Sequence, residues 1–291
     1  MRLISLIVLL LCVSEFSVAT DLEEDVVSIE RSKFTCGSET INKINYRYCL
    51  RNPENTNNKD IIYFFHGLTG DEESWFRMWW GTLIIQKWWE FWGYKPRIAT
   101  ISFGGRWLLN DTKKSKLSTF VSSKVIPSLE KKMGGLQGGK RHAIGQSMGG
   151  FNAAHLSLKN PGLFNRVALL CPALSSVSPH ASQQEVKNYI RRTRAFPFLV
   201  RKMINISREV FPTMQEWKDN DPMYLLKNYK STKRSKFLVT IGLADSYGFQ
   251  EGSRQFVNMA QGKSIFSSWL PVPGPHCMFN RRTTAHFIKG D

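Results

Sequence analysis

Ser147 stands within Gly145-Gln146-Ser147-Met148-Gly149-Gly150, a Gly-x-Ser-x-Gly pattern. On a sharp turn from a strand into a helix, such a serine has its hydroxyl exposed; in a plain glycine-rich turn it is only a small residue. A serine hydroxyl attacks a carbonyl only when a base takes its proton, and the base must be oriented by an acid. In an open α/β sheet such groups belong on loops beyond the C-terminal ends of the strands, where ligands bind. Asp245 comes directly after the apolar run KFLVTIGLA, and His276 lies in PGPHCMF after the last such run. They are the candidate acid and base. Glu251 is a distant second for the acid, one helical turn further on, and Asp219 and Asp221 fall in a less regular stretch. The other five histidines, His66, His142, His155, His180 and His286, are read as structural.

An oxyanion developing beside Ser147 needs two N–H donors. The amide of Met148, at the start of the following helix, is one candidate. The other is the amide of Leu68 in His66-Gly67-Leu68-Thr69-Gly70, where Gly67 would let the backbone approach a substrate.

These residues need a sheet whose strand ends meet at one edge. Six short apolar runs supply it: IIYFFHG from Ile61, RIATISF from Arg97, RHAIGQ from Arg141, RVALLCPA from Arg166, KFLVTIGLAD from Lys236 and IFSSWLPVPG from Ile265. Helical periodicity fills the gaps over Leu117–Met133, Met148–Lys159 and Phe249–Ala260. Alternating strands and helices imply βαβ units, so the fold class is α/β with a mostly parallel sheet and helices on both faces. Near the N-terminus, FTC and YRYCL read as strands of a hairpin turning over GSETINKIN. Residues 175–230 break the rhythm, with helices punctuated by Pro179, Pro197, Pro212 and Pro222, and read as a cap inserted over the site.

Residues 1–19 read as a signal peptide. Arg2 precedes the apolar Leu3–Val13, and Ser17-Val18-Ala19 offers a cleavage site. The apolar run is too short to span a bilayer. The expectation is an exported protein, secreted or periplasmic, with residues 20–291 forming one domain. Of the five cysteines, Cys36, Cys49, Cys171 and Cys277 lie beyond the leader. Cys36 and Cys49 flank the hairpin and are expected to bridge; Cys171 and Cys277 are either a second bridge or two buried thiols. The formal net charge of +17 is scattered through pairs such as Lys131-Lys132 and Arg191-Arg192, with no nucleic-acid motif. It suits attraction to an anionic surface or polymer, and nucleic acid is not an expected partner. Of nine tryptophans, seven crowd between Trp75 and Trp107. Part of that segment is core; some rings could line an acyl pocket or stack on a substrate.

HGLTGDEESW, GQSMGGFNAAHLSLKNPGLF, IGLAD and PGPHCMF resemble the esterase D group of α/β-hydrolases, over roughly Phe34 to Ile288. That group includes S-formylglutathione hydrolases, feruloyl and acetyl esterases and mycolyltransferases. The resemblance implies an α/β-hydrolase fold, triad roles for Ser147, Asp245 and His276, and oxyanion roles for Leu68 and Met148. The leader and the basic surface depart from a cytosolic glutathione-conjugate enzyme. The combined reading is an exported serine carboxylesterase acting on a small-molecule or polymer ester, with no cofactor or metal. An acyltransferase using the same residues, or a non-catalytic surface-binding protein, are the alternatives. The sequence sets no oligomeric state.

Overall fold

Runs rich in aromatic and β-branched residues form one eight-stranded sheet in the computed structural model, which describes residues 27–54, 56–77 and 81–290. The expected leader, residues 1–19, and Trp79 and Trp80 lie outside the described residues. The strands are β1 (Thr35–Ile41), β2 (Ile44–Arg51), β3 (Ile61–Phe65), β4 (Arg97–Ser102), β5 (Arg141–Gln146), β6 (Arg166–Leu170), β7 (Lys236–Gly242) and β8 (Ser267–Val272). Their order across the sheet is β1-β2-β4-β3-β5-β6-β7-β8. β2 runs antiparallel to both β1 and β4, and every other neighbouring pair is parallel.

Helices cover both faces: α1 (Ser74–Arg77), α2 (Thr82–Phe91), α3 (Leu117–Lys132, with a π turn at Val121–Val125), α4 (Met148–Lys159), α5 (Gln183–Thr193), α6 (Pro197–Val210), α7 (Met214–Asn220), α8 (Pro222–Lys227), α9 (Phe249–Gly262) and α10 (Arg281–Lys289). The two-residue period of a strand decides which core each side chain joins. Ile61, Tyr63 and Phe65 of β3 pack with Val125 of α3 and Phe151 of α4. The intervening Ile62 and Phe64 pack on the other face with Trp75, Trp89 and Ile288. With both faces covered, β3 is buried at every position, as its continuous apolar run requires.

The hairpin differs from its sequence reading. Ser38, Glu39 and Thr40 are strand rather than turn, and the turn itself is only Asn42 and Lys43, both with positive φ (52° and 66°). β1 is an edge strand with little burial, so polar residues are tolerated along it and mask its strand character. Two left-handed residues match the twist of a tight hairpin, and asparagine adopts that conformation readily. Cys36 lies opposite Cys49, with Cα atoms 4.0 Å apart, and the two form a disulfide.

Helices α5–α8 lie between β6 and β7. Their junction with α4 is largely apolar, through Phe151, Phe211 and Trp217, but it also buries polar groups. His155 of α4 donates from Nδ1 to the Asn220 carbonyl oxygen at 2.6 Å, and burial pushes its pKa down to about 4. The neighbouring Asp221 caps α8 by accepting from the Tyr224 amide at 3.3 Å, and burial pushes its pKa up to about 7.

The signs are opposite. Neutral His155 contributes stability that is present above its unfolded pKa, near 6.5, and is lost as pH falls toward 4. Asp221 is best accommodated below its unfolded pKa, near 3.8, and its contribution is lost as pH rises through about 7. Asp221→Asn keeps an oxygen for the cap but removes the ionisation. It should therefore stabilise the protein by on the order of a few kcal/mol at pH 8, the gain shrinking toward zero near pH 4. Denaturant unfolding at several pH values checks this; a variant less stable than wild type at pH 8 would contradict it.

Candidate active site

β5 ends at Gln146 and α4 begins at Met148, so Ser147 alone makes the reversal, with φ 52° and ψ −115°. That conformation costs a non-glycine residue roughly 1–3 kcal/mol and persists only where surroundings enforce it. Here the Ser147 amide donates to the Leu170 carbonyl at 2.9 Å, while its carbonyl accepts from Gly150 at 2.9 Å and Ala173 at 2.8 Å. Backbone packing closes the turn. A Cβ on Gly145 would lie 2.1 Å from the Gly149 carbonyl oxygen, and one on Gly149 would lie 1.9 Å from that of Phe65.

The structure brings together the three side chains picked out from the sequence. Ser147 Oγ lies 2.9 Å from His276 Nε2. His276 Nδ1 lies 2.5 Å from Asp245 Oδ2. The other carboxylate oxygen of Asp245 accepts from the Tyr247 amide at 2.9 Å. With Nδ1 donating to Asp245, His276 presents the lone pair of Nε2 to the Ser147 hydroxyl. Asp245 is wholly enclosed and the His276 side chain is 17% exposed, so the base meets solvent and the acid does not. The Tyr247 ring, stacked on Phe249, packs 4.7 Å from the imidazole. Glu251 is engaged elsewhere, in an ion pair with Arg192.

On the other side of Ser147 runs the His66–Gly70 loop. The Thr69 amide donates to Gly105 and the Gly70 amide to Gly67. Leu68, between them, lines the cavity shared with Ser147 and Met148. Met148 opens α4, and the first N–H groups of a helix have no intrahelical acceptor. Both candidate donors thus flank the serine.

The loop is held by groups that sequence reasoning did not single out. Trp107 Nε1–H donates to His66 Nε2 at 3.0 Å, so the His66 proton sits on Nδ1, which donates to the Gly67 carbonyl at 2.8 Å. Burial pushes the His66 pKa down and keeps the ring neutral. Asn152, one turn into α4, accepts from the Leu109 amide at 2.8 Å and so ties the Trp107–Leu109 segment to the helix that carries Met148. Only a histidine beside a glycine loop could have hinted at this in the sequence.

A small, largely apolar cavity of about 60 Å³ opens beside Ser147, lined by Leu68, Leu108, Phe151, Met203, Ile206 and Trp217 among others. Met203 and Ile206 come from α6 and Trp217 from α7. A polar mouth of about 370 Å³ adjoins it, bounded by Gly67, Thr69, Lys202 and His276. A larger cleft of about 640 Å³ lies among α5, α7 and α8, and shares only Ser175 and Trp217 with the first. It contains none of the Ser147 group, so its size does not make it the site. The tryptophans of the crowded segment that are described take another role. Trp75 and Trp89 are fully buried and stack 5.9 Å apart beneath the sheet, Trp89 bonding to the Ala285 carbonyl. Trp107 holds His66, and none of these rings lines the cavity; Trp217, from outside the segment, does.

Residues 38–269 match the Esterase family, described as "Putative esterase". The chain belongs to this family. It is accordingly an enzyme, a serine hydrolase of carboxylic esters. A search of curated proteins finds no matching sequence. Solved structures share the fold at low identity. A ferulic acid esterase is 15% identical with a TM-score of 0.64, over 88% of this chain and 94% of that one. An S-formylglutathione hydrolase from Staphylococcus aureus is 14% identical with a TM-score of 0.61, over 88% and 95%. One from Agrobacterium tumefaciens is 15% identical with a TM-score of 0.58, over 87% and 90%. The fold of this esterase is therefore that of the α/β-hydrolases.

The esterase joins Cys171 to Cys277, with Cα atoms 4.9 Å apart. Among the described residues, Cys171, His276 and Cys277 are the one group with metal-ligand spacing, and both of its sulfurs are in this bond. Both cysteines have positive φ (43° and 64°). The bond links the end of β6 to the residue after His276 and closes a loop of 106 residues, against 13 for Cys36–Cys49. Replacing both Cys171 and Cys277 by serine should cost about 4–5 kcal/mol and lower ester turnover by loosening the His276 loop. Replacing Cys36 and Cys49 should cost about 3 kcal/mol and leave turnover unchanged. Unfolding curves and steady-state rates on the two double variants separate the effects. Equal turnover in both would show that the second bond does not hold the base.

Proposed function

We propose that the protein is an exported serine carboxylesterase that hydrolyses esters of short acyl groups through an acyl-enzyme. The observation that carries this reading is the chain of contacts from Ser147 Oγ to His276 Nε2 at 2.9 Å and from Nδ1 to Asp245 at 2.5 Å, beside a small apolar cavity. Ser147 Oγ attacks the ester carbonyl carbon while its proton passes to His276 Nε2. Asp245 holds the ring and stabilises the imidazolium that forms. The Leu68 and Met148 amides receive the negative charge on the carbonyl oxygen. Collapse of the tetrahedral intermediate breaks the bond to the alcohol oxygen, which leaves with the proton from Nε2. Water then attacks the acyl-enzyme, giving its proton to Nε2, and the same steps release the acid and restore Ser147.

A cavity of about 60 Å³ accommodates an acyl chain of only a few carbons. The polar mouth gives water a route to the acyl-enzyme, which supports hydrolysis over transfer to another alcohol. In this reading residues 175–230 are a cap on a single domain, with α6 and α7 roofing the acyl site. Export is supported by the two disulfides, which suit an oxidising compartment, and by the leader-like residues 1–19.

Ser147→Ala should lose at least about a thousand-fold in kcat/KM on p-nitrophenyl acetate and should cease to label with a fluorophosphonate. Turnover equal to wild type would end the proposal. Ile206→Ala should enlarge the acyl site and raise the preference for hexanoate over acetate esters by about ten-fold. A chain-length profile that does not move would show that the cavity beside Ser147 does not hold the acyl group.

A further inference from the structure

The α5–α6 connection and the first turn of α6 hold two phenyl rings out in solvent. Phe196 is 63% exposed and Phe198 73%. The backbone that carries them is firmly held. The Phe196 amide donates to the Ser246 carbonyl at 2.9 Å, and Gln250 donates to the Thr193 carbonyl at 3.1 Å. Ala195, Val200 and Ile204 are buried against Tyr189 in a small core of their own. The rings therefore project from a fixed support. Leu243, 57% exposed, borders the same depression as Arg192 and Thr193.

The charge along this segment has one sign. From Val186 to Arg208 there is no aspartate or glutamate, whereas Lys187, Arg191, Arg192, Arg194, Arg201, Lys202 and Arg208 all fall within it. Arg192 is engaged by Glu251. Arg191, Arg194, Arg201 and Lys202 are exposed and make no ion pair among the described residues. Projecting apolar rings need a hydrocarbon phase, and unpaired cations need anions beside it. A nucleic acid or an acidic polysaccharide would satisfy only the charges. An anionic lipid surface supplies both at one depth, its headgroups to the arginines and its acyl region to the rings.

We propose that the Arg194–Lys202 segment, with Phe196 and Phe198 as apolar tips, docks the protein on anionic lipid surfaces. No helix among the described residues is long and apolar enough to cross a membrane, so the contact is peripheral. It also lies next to the Ser147 group. Phe196 is bonded to the residue after Asp245, and Lys202 borders the mouth above Ser147. Docking there presents the mouth to esters held at the lipid surface. The inference does not depend on how Ser147 is used, because docking is read out by binding alone.

The test is co-sedimentation of the full chain with vesicles of phosphatidylcholine containing about a third phosphatidylglycerol, and with vesicles of phosphatidylcholine alone. Wild type should bind the anionic vesicles, bind the neutral ones far less, and be released by high salt. The Phe196→Ser/Phe198→Ser and Arg194→Glu/Arg201→Glu variants should each bind about ten-fold more weakly or worse, with turnover of soluble p-nitrophenyl acetate unchanged. Failure of wild type to bind anionic vesicles overturns the proposal. So does binding of the phenylalanine variant at wild-type strength, which would mean that charge alone attracts the protein, as an acidic polymer would. If that variant does not fold, Phe198→Ser alone and the arginine variant decide the matter by the same criteria.

Discussion

The Phe65 carbonyl occupies the space that a side chain on residue 149 would need. That contact joins the end of β3 to the start of α4, and the geometry of the site depends on it. It lets the loop after β3 lie directly alongside Ser147, so that a Cβ added to Gly67 would lie 3.4 Å from the serine Cβ. Leu68 and Met148, which follow the neighbouring strands β3 and β5, then line one cavity with Ser147. A methyl group at Gly149 would push β3 and α4 apart, since its carbon would lie 1.9 Å from the Phe65 carbonyl oxygen.

The strain at Ser147 is offset by its neighbours rather than relieved. The ends of β6 and its following loop clamp the serine backbone through Leu170 and Ala173, and Cys171, between them, is covalently tied to the loop of His276. The supports of Ser147 and of His276 are thus one piece of structure. His66 does the same on the opposite side. As a neutral ring, donating from Nδ1 to its own loop and accepting from Trp107, it fixes the strand end without adding a charge beside Ser147.

The segment between β6 and β7 supplies what the sheet cannot. A parallel sheet's C-terminal edge exposes loops and leaves the reacting group open to water. Met203, Ile206 and Trp217 close one side of that edge with apolar surface, leaving the polar side around Gly67 and His276 open. Its own small core, centred on Tyr189 and Val200, keeps the segment ordered, while the buried Asn220–Asp221 junction ties it to α4.

Much of this was written locally in the chain. Continuous apolar runs ending in glycine or polar residues reveal buried parallel strands, because burial on both faces removes the alternation that other strands show. Gly145 and Gly149 mark a turn too tight for side chains, and the positions of Ser147, Asp245 and His276 after β5, β7 and β8 place them at one edge. The edge strand β1 was hidden for the converse reason: solvent accepts polar residues along it, and Ser38, Glu39 and Thr40 look like loop. Tertiary structure alone decided the rest. Whether Cys171 reaches Cys277, whether Trp75 and Trp89 pack beneath the sheet or line a pocket, and which nitrogen of His66 carries the proton all depend on partners 40 to 200 residues away. Local pattern carries the strand and the turn, because those are set by neighbours in sequence. Cavity walls and proton positions are set by neighbours in space.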